Sequence, residues 1–178
     1  MPSRRLGTNK SLPGLSGMLG TLRLGPGHDR LQVILAHRLV EMLLDAMLAH
    51  RFPALARLHP NVEAYPYGVK VVLLREGGVL AVGEADWCED LYRLSRQACG
   101  EPQFRFRRRD LARLRAAVGT GVSSSGALAE QFSQLWTTFI QRFCRRHARL
   151  LDALMSETDD PPPRGPRRGR TAGARRRK

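Results

Sequence analysis

The chain has 178 residues, about one domain's worth, of which 42% are hydrophobic and only 6% aromatic. Its net charge of +14 comes from 30 basic residues, nearly all of them arginine, against 16 acidic ones. No apolar run approaches the ~18 residues of a membrane helix, which excludes an integral membrane protein. Three cysteines, Cys88, Cys99 and Cys144, are too few and odd in number for a disulfide scaffold, so a reducing compartment is favoured.

The first 28 residues contain four basic residues, no acidic residue and many glycines and prolines. This composition opposes a stable helix and predicts a flexible basic arm. An arginine-bearing leader without acids is also typical of mitochondrial transit peptides, although the glycines argue against their amphipathic helix.

The first ordered element is predicted to start at Asp29, a candidate helix N-cap. From 31 to 49 apolar residues recur at steps of three and four, and Pro53 ends the pattern. Because the apolar stripe covers much of the circumference, this helix is expected to be central in the fold or covered by a partner.

After Pro60 the pattern changes to short β-branched runs. Residues 69–74 (VKVVLL) and 79–82 (VLAV) flank a Gly-Gly pair, which predicts a β-hairpin over 69–82. Residues 62–65 are a candidate edge strand beside it.

Helical signals return at Asp86, a candidate N-cap with Glu89 three residues later, and this helix is expected to stop at Gly100. Residues 104–107 (FRFR) alternate at period two, which predicts a third strand with rings on one side and guanidinia on the other. A short helix is predicted over 110–118.

Apolar residues over 128–154 recur at steps of three and four, predicting one C-terminal helix of about seven turns. The sequence as a whole predicts a single α+β domain at 29–156, mostly helical with one β-hairpin. The hairpin would pack against the 31–49 and 128–154 helices. Disordered basic arms at 1–28 and 157–178 would flank this domain.

The C-terminal tail carries the densest positive charge. Arginines on a flexible backbone neutralise phosphates and release counterions, and the same run is typical of a nuclear or nucleolar localisation signal. The alternative is a solubilising tail whose arginines reflect the codon bias of a GC-rich gene. The signal residues are Arg164, Arg167, Arg168, Arg170, Arg175, Arg176, Arg177 and Lys178.

A second basic cluster lies beside Phe104 and Phe106. Rings interleaved with guanidinia are typical of single-stranded RNA sites, although a half-buried strand would place both rings in the core and leave only a basic strip. The candidate nucleic-acid-binding residues are Arg105, Arg107, Arg108, Arg109, Arg113 and Arg115.

Two helices with wide apolar stripes carry more apolar surface than one small hairpin can cover. This excess predicts a protein partner or a homodimer that contacts the C-terminal helix. The candidate interface residues are Phe132, Trp136, Phe139 and Phe143, which are otherwise core residues.

Evidence for an enzyme or a metal site is weak. Cys144 and His147 share a helix face, but a zinc site needs four ligands and a Cys nucleophile needs an orienting motif. The loop at 119–126 lacks the lysine of a phosphate-binding P-loop. We therefore predict no catalytic residues, no metal and no cofactor.

In arrangement and composition alone, the chain resembles small accessory proteins of DNA viruses with GC-rich genomes. It resembles small vertebrate nuclear proteins just as closely. The expected function is that of a non-enzymatic nuclear adaptor, including a viral regulatory or assembly factor, which contacts a protein partner and either RNA or DNA. The alternatives are a mitochondrial or ribosome-associated RNA-binding protein and a small enzyme that uses Cys144 and His147.

Overall fold

The computed structural model describes residues 27–54, 64–119 and 125–157. Among these residues there is no strand, so the α+β prediction is wrong and only its mostly helical part is confirmed. The two arms lie almost entirely outside the described residues and stay predictions. In chain order the helices are α1 (Asp29–Arg51), α2 (Tyr67–Glu76), α3 (Val82–Gly100), α4 (Arg108–Val118), α5 (Leu128–Arg146) and α6 (Ala148–Glu157).

The predicted hairpin over 69–82 is instead helix α2 followed by a turn and the first residue of α3. Its buried positions are Tyr67, Lys70, Val71 and Leu74, which are spaced as one face of a helix and not as alternate residues of a strand. Packing of this face against α1 and α3 outweighs the preference of valine for strands. The candidate edge strand at 62–65 lies half outside the described residues, and Ala64 and Tyr65 are not in a strand.

The Gly-Gly pair that suggested a hairpin turn ends α2. The N–H of Gly78 donates to the carbonyl of Arg75, and the N–H of Val79 donates to that of Leu74. Gly78 has a φ of +69°, the left-handed conformation that this helix termination requires and that glycine adopts without strain.

The predicted third strand at 104–107 is an extended segment without a partner strand among the described residues. Its alternation is confirmed in one respect, because Phe104 and Phe106 are buried while Arg105 and Arg107 are exposed. The backbone N–H of Phe106 donates to the carboxylate of Asp29 at 3.2 Å, where a strand would donate to a neighbouring carbonyl.

This hydrogen bond also changes the role of Asp29. The N-cap of α1 is His28, and Asp29 is the first helical residue.

The predicted start of α3 is likewise displaced. Asp86 is exposed, and the carboxylate of Glu84 accepts the N–H of Ala81 at 2.8 Å, which secures the helix start at Val82.

The C-terminal helix does not run unbroken over seven turns. α5 ends at Arg146, and α6 begins at Ala148. His147 between them is 8% exposed, and its ring lies 4.6 Å from that of Phe143 and hydrogen bonds to Glu84 of α3. The apolar periodicity continues through the break because both helices bury apolar residues. The sequence pattern therefore does not reveal the break at His147.

Aromatic rings join the helices around α3, which contacts α1, α2 and α4. Trp87 of α3 stacks on Phe139 of α5 with ring centroids 3.8 Å apart and lies 5.8 Å from Trp136. Phe132 of α5 stacks on Phe106 at 4.7 Å. Buried aromatic side chains bury about 150–250 Å² each. These contacts hold α5 against both α3 and the 104–107 segment. They therefore position the arginines of residues 105–115.

Candidate functional site

Five of the six arginines in the predicted basic strip are exposed in α4 and in the segment before it, and four of these do not share the pairing of Arg107 with Glu101. We call these four the basic face: Arg105, Arg108, Arg109 and Arg113. In α4, Leu111 and Leu114 are buried against the core, and the arginines at 108, 109 and 113 are exposed to solvent. Arg108 and Arg113 form no ion pair with any residue that the structure describes. Their guanidinia are therefore available to an external anion.

The other two arginines of the strip have partners inside the protein. The guanidinium of Arg107 lies 3.1 Å from the carboxylate of Glu101, and that of Arg115 donates to the side-chain oxygen of Gln131 at 3.0 Å. Arg115 is half-buried between α4 and α5. These contacts make Arg107 and Arg115 poorer candidates for a nucleic-acid contact than the four residues of the basic face.

The rings beside the strip do not face solvent. Phe104 and Phe106 are 2% and 4% exposed, and their rings meet edge to face at 5.6 Å. A base cannot stack on rings that the protein itself covers. Of the two possibilities left open by the sequence, the structure favours the basic strip without stacking.

The candidate interface residues are also in the core. Phe132, Trp136, Phe139 and Phe143 are each at most 4% exposed. A partner of the folded chain would therefore need a surface to which these four rings contribute little. The largest exposed apolar side chains of α1 are Leu31, Leu35 and Met42, which are 37–48% exposed.

A cleft of about 440 Å³ opens between the start of α3, the end of α4 and the last turns of α5. Its apolar lining residues are Ala81, Ala117, Val118, Phe139 and Phe143, and its cationic lining residues are Arg142, Arg145 and Arg146. We call it the arginine cleft. Glu84 is the one acidic residue among the described lining residues.

Glu84 is held by several groups at the edge of this cleft. Its carboxylate lies 3.3 Å from Nε2 of His147 and 3.7 Å from the guanidinium of Arg146, and it accepts the N–H of Ala81. Burial would raise the pKa of Glu84, but the hydrogen bonds from His147 and Ala81 and the nearby positive charges outweigh it and lower the pKa below 4.5. Glu84 is thus ionised near neutral pH and already paired.

The three arginines of the cleft differ in their contacts. The guanidinium of Arg142 donates to the carbonyl of Val118 and so satisfies the C-terminal end of α4. Arg145 is exposed and forms no ion pair within the described part of the chain. Arg146 shares Glu84 with His147 but leaves 56% of its side chain exposed. The cleft therefore carries more positive than negative charge.

These three arginines are not among the site residues predicted from the sequence. They follow one another at steps of three and one, and Arg149 comes three residues later, so a basic stripe opposite the apolar face of the C-terminal helix was visible in the sequence. The apolar part of the cleft was not visible, because it is assembled from three helices that are distant along the chain.

The Cys/His alternative finds little support in the geometry. Burial raises the pKa of the Cys144 thiol, the opposite of what an activated nucleophile needs, and His147 hydrogen bonds to Glu84. Burial also raises the pKa of Cys88 to about 12. In residues 27–54, 64–119 and 125–157 no three His, Cys, Asp or Glu side chains are grouped as metal ligands.

No helix in the described ranges is both long enough and apolar enough to cross a bilayer. The localisation residues Arg164–Lys178 lie outside the described residues, so that signal stays a prediction. Comparison of the chain with protein families, with curated proteins and with solved structures gives no match.

Proposed function

We propose that this chain is a non-enzymatic adaptor of the nucleus that contacts nucleic acid through the basic face and the arginine-rich tail and also binds a protein partner. The observation that supports the nucleic-acid contact is the basic face itself. It presents exposed guanidinia on α4 and the segment before it, and Arg105, Arg108 and Arg113 have no intramolecular carboxylate among the described residues.

Charge is distributed so that the folded part can bind without the arms. The N-terminal arm carries four basic residues, and the tail carries eight against three acidic ones, which leaves a net charge of +5 on residues 29–156. Arginines fixed on α4 lose less conformational entropy on binding than arginines of a flexible tail. We infer that the tail promotes capture and nuclear import, while the basic face fixes how the domain meets the phosphate backbone.

Contact through phosphates alone predicts affinity that depends strongly on salt and weakly on sequence. Because Phe104 and Phe106 are covered, the folded domain has no stacking platform at the basic face that would distinguish RNA from DNA. Duplex and single-stranded probes are therefore both expected to bind.

Salt titration of duplex DNA binding tests the basic face. The variant R108Q/R113Q removes two of its charges, and R96Q/R149Q removes two exposed arginines elsewhere, on α3 and α6. Each lost phosphate contact lowers the slope of log K against log salt by about 0.9, so R108Q/R113Q is expected to lower it by roughly 2. The control pair is expected to change it far less.

An equal effect of both pairs would show attraction to net charge only and would contradict the basic face as a site. The tail is tested separately by deletion of 164–178 and by the distribution of fluorescent fusions in cells. Loss of nuclear enrichment is expected. If both the salt slope and the distribution are unchanged, the tail is only a solubilising segment.

A further inference from the structure

We propose that the arginine cleft binds an acidic peptide segment of a partner protein, with one bulky apolar side chain of that segment seated between α4 and α5. This proposal rests on the protein-binding half of the proposed function and names its site and the chemistry of its partner. It is independent of the basic face, which lies on other residues.

The shape and lining of the cleft fit one or two side chains of a peptide. A volume of about 440 Å³ is within the range of ligand sites, which are mostly apolar with a few polar groups that fix orientation. Ala81 and Ala117, which are half-buried, supply apolar surface, and Val118, Phe139 and Phe143 add only small exposed edges.

The charge of the lining selects an anionic ligand. Three arginines face one glutamate, and that glutamate is already paired with His147 and hydrogen bonded to Ala81. Arg145 has no described carboxylate partner, and Arg146 is more than half exposed. Carboxylates of a peptide can form paired hydrogen bonds with such guanidinia.

A peptide fits this lining better than a nucleic acid does. Base recognition at arginine-rich sites uses exposed ring faces, whereas Phe139 and Phe143 are only 4% and 1% exposed. An aliphatic side chain needs no such face and gains from contact with the alanine, valine and ring edges alone. Apolar surface bordered by positive charge therefore complements a leucine or phenylalanine between aspartates.

The probe is a short dye-labelled peptide with leucine and phenylalanine at its centre and aspartates on both sides, and fluorescence anisotropy with the full chain measures its binding. One matched peptide has alanines at the centre, and another has asparagines in place of the aspartates. Both are expected to bind more weakly than the probe, since each lacks one of the two complementary features.

Two pairs of variants locate the site. R145Q/R146Q is expected to weaken probe binding about tenfold, whereas R108Q/R113Q on the basic face removes the same charge and is expected to leave it nearly unchanged. A117L fills the apolar surface and is expected to weaken binding about tenfold, in contrast to A116L, whose side chain is on the exposed side of α4. Circular dichroism checks that each variant folds.

Three results would overturn the proposal. The first is equal weakening by both arginine pairs with no effect of A117L, which means general attraction to positive charge. The second is no probe binding together with DNA binding that A117L and R145Q/R146Q weaken, which means a nucleic-acid site. The third is probe binding only after Glu157, Asp159 and Asp160 are changed to asparagine, which means that the chain's own acidic segment occupies the cleft.

The same variants separate this proposal from the nucleic-acid contact. If R108Q/R113Q leaves the salt slope of DNA binding unchanged, the basic face fails as a site while the cleft result stands. If R145Q/R146Q leaves probe binding unchanged, the cleft fails while the basic face is unaffected.

Discussion

Lys70 between α1 and α2 and Glu84 beside the arginine cleft are both charged groups inside the fold, but their surroundings differ. Lys70 is fully buried, and its ammonium lies 2.7 Å from the carboxylate of Asp45 and 3.5 Å from that of Glu41. Glu84 is paired with His147 and Arg146 at the edge of an open cleft. At the first site two acids face two bases, because Glu41 also pairs with Arg38 at 2.7 Å, whereas the second site has an excess of arginines.

A charge with a structural role and a charge available for binding differ in whether their partners already match them. At Lys70 each carboxylate is paired with a base of α1 or α2, so the cluster contributes to stability or to the specificity of α1–α2 packing. At Glu84 the acid is satisfied internally while the arginines around it keep exposed donors. Surplus charge at the edge of a cavity, and not burial of a charge, is therefore the better indication of a ligand site.

The largest effect is expected from Lys70→Ala. It leaves Asp45 and Glu41 without their shared cation and opens a cavity, so the free energy of unfolding should fall by about 3 kcal/mol. Urea unfolding followed by circular dichroism measures this. K70M keeps most of the side-chain volume and should cost less, since both carboxylates are 17–20% exposed and can be hydrated. A loss below about 1 kcal/mol in both variants would contradict a stabilising cluster.

Lys70 also shows why the sequence predicted the wrong structure here. In VKVVLL a lysine between valines fits the polar face of a strand, and nothing local indicates that its partners lie on α1. The helical spacing of Tyr67, Lys70, Val71 and Leu74 is present in the sequence, but a lysine is almost never fully buried unless it is paired, so the spacing does not identify Lys70 as a core position. The local pattern of residues 69–74 does not indicate that the buried charge of Lys70 pairs with residues distant along the chain.

Other parts of the fold were predictable because their signals are local. The helices that became α1, α3, α4 and most of α5 follow from apolar steps of three and four together with Pro53, Gly100 and Gly119. The basic face also follows from the sequence, since charge and exposure coincide on a short amphipathic helix. The arginine cleft does not, because its apolar surface depends on how the ends of three helices meet.

A smaller effect is expected from Glu84→Gln. Glutamine can still accept the N–H of Ala81 but loses the charge that pairs with His147 and Arg146, so stability at pH 7 should fall by about 1 kcal/mol. Because folding lowers the pKa of Glu84, its contribution is present above pH 4.5 and is lost as the pH falls through the folded value. The difference between wild type and variant should therefore shrink below pH 4.5 in urea titrations. A constant difference across that range would contradict the charged pair.

The smallest effect is expected from His37→Phe, a change beside the Lys70 cluster. His37 lies 4.7 Å from the ring of Tyr67 and 5.4 Å from that of Tyr92, contacts that a phenylalanine can keep. Its buried Nε2 has no hydrogen-bond partner among the described residues, so replacement should stabilise the fold by roughly 0.5 kcal/mol at pH 7.5.

The pH dependence of this variant differs from that of the Glu84 variant, because the fold favours the charged form of Glu84 and the neutral form of His37. Burial lowers the pKa of His37 below 6.5, and the charges of Arg38 and Lys70 act in the same direction while Glu41 opposes them. Below pH 6.5 the unfolded chain therefore takes up a proton that the folded chain resists, so acid destabilises the wild type. H37F lacks this proton uptake, and its advantage should grow as the pH falls from 7.5 to about 5. An advantage that stays constant over this range would show that His37 is protonated equally easily in the folded and unfolded chain, and the packing around Lys70 would then be more open to water than its burial indicates.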